Sequence, residues 1–125
     1  MRTNTLLPET LRMNYNPCKI KLNPKIRDIK LAVYGHLNLD EDSADSHYRN
    51  AELVEARQFV HAICYKYRKI FKWSCRMIGK ETGEHDHATV QHSRKTVFFH
   101  CQLEPEYKKR FEEIERIIIN RFNLK

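Results

Sequence analysis

Apolar residues recur along most of this chain at intervals of three and four, the spacing that lines one face of a helix. The clearest run extends from Arg49 to about Lys72. There Leu53, Phe59, Val60, Ile63, Tyr67, Ile70 and Phe71 predict one long helix with a broad apolar stripe. A second run follows Glu104-Pro105-Glu106, whose proline suits a first turn and whose acids suit the positive end of a helix dipole. Tyr107, Phe111, Ile114, Ile117, Ile118 and Phe122 are its inward positions. Upstream, Pro24 opens a third helix carried by Ile26, Ile29, Leu31 and Val33. The polar, acidic stretch Leu39 to His47 reads as a loop. Residues 1–23 hold Pro8 and Pro17 and little periodicity, so they read as an arm before a helical domain spanning 24–125. Helices joined by short loops define an all-α bundle.

The remaining interval, Ser74 to about His100, reads as helix, turn and helix. Met77 and Ile78 lie on a short first helix. Gly79 follows, where only a small residue lets two helix backbones approach closely, and Gly83 suits a turn that needs positive φ. Asp86 is suited to cap the next helix by accepting from backbone N–H groups of its first turn. That helix, over about 86–99, opens with Asp86, His87, Ala88 and Thr89. In a helix-turn-helix the N-terminal end of the second helix enters the major groove. His87 and Thr89 are suited to hydrogen-bond to base edges or phosphates, the Ala88 methyl is small enough to touch a thymine methyl, and the Asp86 carboxylate can accept from a cytosine amino group. Lys72, Arg76, His85, His92, Arg94 and Lys95 flank the turn and the outer side of this helix. They are the expected contacts to the DNA backbone.

Composition agrees with this reading. A chain of 125 residues is one domain with a modest core. Its net charge of +7 favours a polyanionic partner. The excess is concentrated beside the proposed turn, where Lys66, Arg68, Lys69, Lys72, Arg76 and Lys80 occur without an intervening acid. The N-terminal segment is also basic, with Arg2, Arg12, Lys19, Lys21, Lys25, Arg27 and Lys30 against Glu9 and Asp28, and its arm is the expected second anchor on DNA. Cys18, Cys64, Cys75 and Cys101 have neither close pairing nor metal-type spacing, and read as free thiols of a reducing cytoplasm. No signal peptide or membrane-length apolar run is present, so no membrane role is expected.

The residues of the turn resemble a known family. Gly83-Glu84-His85-Asp86-His87-Ala88-Thr89-Val90-Gln91-His92 is similar to the signature of the C-terminal DNA-binding domain of DnaA, the bacterial replication initiator. There the pattern is Gly-Gly-Arg-Asp-His-Ser/Thr-Thr-Val, an apolar residue, then His. Ile78-Gly79, with Ser74 four residues before, falls at the family's Ile-Gly position. Arg57-Gln58-Phe59-Val60 is similar to the start of its long helix. The resemblance covers about Ile26 to Phe122. It implies a Trp-repressor-like arrangement that binds double-stranded DNA in replication or transcription regulation, with no cofactor and no small-molecule substrate. Four positions depart from the family's pattern. His85 replaces an Arg, Glu84 the second Gly, Thr82 an apolar residue of the turn, and Glu55 an Arg that reaches the minor groove.

Competing readings are weaker on chemical grounds. His85, His87 and His92 form a dense group, but neighbours i and i+2 diverge on a helix, and five residues is the wrong interval for helix-based chelation. No metal is expected. A Walker-type phosphate loop is absent, as is any supported Cys/His or Ser/His constellation, so no catalysis is expected. Trp73 with Phe71, Tyr67 and Tyr65 could stack single-stranded bases, yet aromatics at a helix end are more often core. The alternative function is a protein-interaction module on the same helical scaffold. Glu84, Glu55 and the acidic stretch argue for it, since each weakens a DNA contact.

Overall fold

The computed structural model describes residues 23–47 and 50–124. Among these it holds seven helices and no strand: α1 (Ile26–His36), α2 (Glu41–Asp45), α3 (Ala51–Lys66), α4 (Arg68–Phe71), α5 (Cys75–Glu81), α6 (His87–Leu103) and α7 (Pro105–Phe122). Pro24–Ile118 forms one compact unit, and the described tail Ile119–Leu124 falls outside it. The expected N-terminal arm, Cys18 and Arg49 lie outside the described residues.

Helix α3 is the hub. It packs against α1, α2, α5 and α6. Ala56, Phe59, Val60, Ile63 and Cys64 have no exposed surface. Burying a side chain of the size of Phe59 or Ile63 contributes roughly 1.5–3 kcal/mol. Phe59 also meets α7, edge-on to Tyr107 at 5.4 Å and tilted to Phe111 at 5.3 Å. Between α3 and α7, Arg110 pairs with Glu55 at 3.1 Å, and Lys66 pairs with Glu115.

Two expectations need correcting. Leu39 to His47 is not all loop, because Asp40 caps the short helix α2 by accepting from the Ser43 N–H at 3.2 Å. The acids that make this stretch look irregular are those a helix start favours. Tertiary contacts hold it. Ala44 is fully buried. Lys30 of α1, 2% exposed, reaches Asp45 at 2.8 Å, Glu41 at 2.7 Å and the Glu81 carbonyl at 2.7 Å. The Tyr34 hydroxyl donates to Asp45 at 2.9 Å, and Arg57 donates to the Ala44 carbonyl at 2.8 Å.

The long helix predicted to Lys72 stops at Lys66. Tyr67 leaves helical geometry, α4 makes one turn, and Lys72 adopts left-handed φ of 60°. Tyr67 keeps its buried place in the apolar stripe, whereas Ile70 after the break is 64% exposed. Phe71 stacks on Trp73 at 4.9 Å, closing the corner before α5.

Candidate nucleic-acid interface

Ser74 caps α5 by accepting from the Met77 N–H at 3.1 Å. The turn follows at Thr82, and two glycines let it form. A Cβ on Gly79 would lie 2.1 Å from the His85 carbonyl oxygen. The close approach that Gly79 permits is therefore to the turn rather than to a second helix, and the His85 N–H donates to the Gly79 carbonyl at 2.9 Å. Gly83 has φ of 102°, and a Cβ there would sit 1.9 Å from the Asp45 carbonyl oxygen. Glu84, at the family's second glycine, holds φ of 61°. This conformation costs a non-glycine residue about 1–2 kcal/mol.

Asp86 caps α6. One carboxylate oxygen accepts from the Thr89 N–H at 2.9 Å and from the Thr89 hydroxyl at 2.8 Å. These bonds hold the Asp86 carboxyl below the usual range, and His87 and His85 add to the effect. His87 and Ala88 are exposed at the first turn, and Thr89 is half-buried. The second helix runs to Leu103, one turn beyond the expected end.

The expected backbone contacts divide. Lys72, Arg76, His92 and Lys95 are exposed. The Gln91 amide reaches the Cys75 sulfur at 3.6 Å, bringing the start of α5 to the second turn of α6. Arg94 is held otherwise. Its guanidinium lies 4.6 Å from the Tyr65 ring centroid, that of Arg68 lies 3.7 Å from the same ring, and its Nε is buried. His85 is turned inward and stacks on His47 at 4.3 Å, with a buried Nε2. Burial is the main cause that lowers its pKa, with His47 and Arg57 adding. Glu55 reaches Arg110 instead of standing free.

The histidines that gather are His47, His61 and His85, not the sequence neighbours His85, His87 and His92. Among the described residues no cluster of His, Cys, Asp or Glu is arranged to hold a metal ion. Sequence reasoning missed His61, a polar residue inside the apolar stripe of α3 and 1% exposed. Its Nδ1 lies 2.8 Å from the Ser93 hydroxyl and its Nε2 2.7 Å from the Thr82 hydroxyl. Thr82, which breaks the family's apolar pattern, thus has a buried partner. A histidine three residues before Cys64, set between Val60 and Ala62, was the available signal.

Burial holds His61 down at a pKa of about 3, with His85 and Arg57 adding. An unfolded histidine takes its proton near 6.5. Below that pH the unfolded chain binds the extra proton and the folded chain does not. Stability therefore falls as pH drops, by about 1.4 kcal/mol per unit from this group, until the folded pKa is reached. Urea unfolding at pH 7 and pH 5 is expected to show a lower midpoint at pH 5. The triple variant H61L/T82V/S93A, which has no titrating group at this place, is expected to show a smaller drop. An equal drop in both would mean that His61 ionises in the folded chain.

The fold and the capped turn define a helix-turn-helix domain. The chain belongs to the family described as bacterial dnaA protein helix-turn-helix, which matches residues 26–97. It is similar to the chromosomal replication initiator protein DnaA of Bacteroides fragilis (strain YCH46), 33% identical over 96 residues, which cover 77% of this chain and 20% of that protein. It is also similar to the same protein of Bacteroides thetaiotaomicron, 32% identical over 93 residues (74% and 19%). For Flavobacterium psychrophilum the figures are 31% over 97 residues (78% and 20%). The chain spans about a fifth of the length of these relatives. No solved structure matches it. Among the described residues, no helix is long and apolar enough to cross a membrane.

Proposed function

We propose that α6 enters the major groove with Asp86, His87, Ala88 and Thr89 toward the bases, and that the chain serves as a replication-initiator-like or regulatory DNA-binding module. The observation that carries this reading is the exposed first turn of α6. It is capped by Asp86, carries the positive end of a 17-residue helix, and stands beside an α5 whose Arg76 and Lys80 are exposed. Lys72, Arg76, His92 and Lys95 are the proposed contacts to the backbone. His85 and Arg94 would have to leave their packed positions to join them. A cavity of about 400 Å³ opens beside the start of α6, lined in part by Gln58, Thr89 and His92. Its Gln58 amide and His92 imidazole are suited to a duplex phosphate.

The test is selection of bound duplexes from a random pool at moderate salt. One enriched motif supports the reading, and recovery of no duplex sinks it. Neutralising Lys72 or Arg76 is expected to weaken all sequences alike. Each Lys72→Ala or Arg76→Ala change is expected to lower the slope of log affinity against log salt by about one. Slopes equal to that of the unaltered chain would remove this surface from the interface.

A second reading has one specific observation. Phe98, Phe99 and Leu103 at the end of α6 are 63%, 56% and 62% exposed, a surface suited to a protein partner. Binding with little salt dependence and no need for DNA would favour it.

A further inference from the structure

Three buried hydroxyl and imidazole groups sit where α3, the turn and α6 meet. His61 is 1% exposed, Thr82 has no exposed surface and Ser93 is 3% exposed. Each comes from a different part of the helix-turn-helix and its support. His61 lies on α3, Thr82 follows the last residue of α5, and Ser93 lies two turns into α6.

The contacts of Thr82 favour one arrangement of the protons in this group. The Thr82 hydroxyl lies 3.1 Å from both the Ile78 and the Gly79 carbonyl oxygens, which only accept. Its one proton goes to them. Thr82 therefore accepts from His61, so Nε2 carries the imidazole proton at 2.7 Å. With Nε2 protonated and the ring neutral, Nδ1 is bare and accepts from the Ser93 hydroxyl at 2.8 Å. Each bond determines the direction of the next. Every member is satisfied, the condition under which a buried polar network specifies one geometry.

We infer that Ser93, His61 and Thr82 form a one-way hydrogen-bond relay that positions the recognition helix α6 against α3 and the turn, and that duplex selectivity depends on it. The inference rests on α6 being the reading element. An apolar core would hold these helices together equally well, but it sets no direction and tolerates small rotations. The relay ties the start of the turn and the second turn of α6 to a single side chain on α3. A rotation of α6 would lengthen the Ser93 bond, and a shift of the turn would lengthen the Thr82 bond. His61 is thus a positioning residue, acting on DNA only through α6.

The test pairs spectroscopy with binding. Nitrogen-15 NMR of the intact chain at pH 6 is expected to show His61 as the neutral Nε2–H tautomer. An imidazolium or an Nδ1–H tautomer would overturn the relay. The triple variant H61L/T82V/S93A removes all three polar groups and leaves none unsatisfied. Its preference for the selected duplex over random duplex is expected to fall about tenfold, the worth of roughly one hydrogen bond. Its urea midpoint at pH 7 is expected to stay near that of the unaltered chain. Full selectivity in a folded triple variant would overturn the inference. If the triple variant does not fold, Ser93→Ala alone is used, and undiminished selectivity there overturns the inference equally. Failure of the unaltered chain to bind any duplex would reject the DNA reading and leave the tautomer result standing by itself.

Discussion

A Gly83→Ala chain is expected to lose roughly 2–6 kcal/mol of stability and most of its duplex binding. Two costs combine at this position. At φ of 102° an alanine enters backbone space that L residues rarely occupy, a strain of about 1–3 kcal/mol. Its Cβ would also fall 1.9 Å from the Asp45 carbonyl oxygen, so backbone must move, and overpacking of this kind costs about 1–3 kcal/mol more. The backbone that moves is the turn leading directly into Asp86 and the first turn of α6. Gly35 supplies the control. Nothing would lie within 4 Å of a Cβ there, and the residue is inside α1. Gly35→Ala is expected to leave stability unchanged or raise it by about 0.5–1 kcal/mol. Urea unfolding of both variants decides. Equal midpoints would mean that the turn yields freely to a methyl group.

Removing Lys30 has an effect of similar size for a different reason. Its ammonium group is the shared partner of Asp45, Glu41 and the Glu81 carbonyl, with a side chain only 3% exposed. Lys30→Met leaves two carboxylates facing an uncharged side chain. Breaking a fully buried pair on one side typically costs about 3–5 kcal/mol, and because Glu41 and Asp45 are 29% and 19% exposed and Glu41 keeps Arg27, the lower end applies. Burial works against the charge on Lys30, yet its bonds to Asp45 and Glu41 raise its pKa overall. The Lys30 hydrogen bond in turn holds Glu41 below the usual carboxylate value. A depressed carboxyl contributes stability that is present at neutral pH and is lost as pH falls below the unfolded value. The stability gap between the unaltered chain and Lys30→Met is therefore widest at neutral pH and narrows below about pH 4. Paired unfolding curves at pH 7 and pH 3.5 measure it. A constant gap would show that Lys30 acts through packing alone.

Legibility in the sequence followed the range of the interactions involved. Asp86 and Gly83 could be read because capping and positive φ are decided within a few residues. The helix over Pro105–Phe122 could be read because its apolar stripe is long and uninterrupted. Helix α2 could not, since its short acidic run is held by Lys30 and Arg57 from other helices. The break at Tyr67 was hidden because Tyr67 itself keeps the helical phase of the stripe. Arg94 and His85 looked available to DNA because periodicity gives no phase to a turn residue and does not reveal that Tyr65 waits beside Arg94. His61 finds its partners 21 and 32 residues away, a pairing that no local pattern encodes.

Glu41, Asp45 and Glu55 each end on a cation of the same chain: Arg27 and Lys30, Lys30, and Arg110. A closed pair presents a dipole rather than a charge, and its field decays faster with distance. Beyond a Debye length, about 8 Å at physiological ionic strength, such pairs fade before the exposed lysines and arginines of the turn do. An approaching polyanion is therefore drawn in by a field that Glu41, Asp45 and Glu55 barely weaken. The +7 excess acts mainly on the frequency of productive encounters, and close-range fit at α6 governs how long each one lasts.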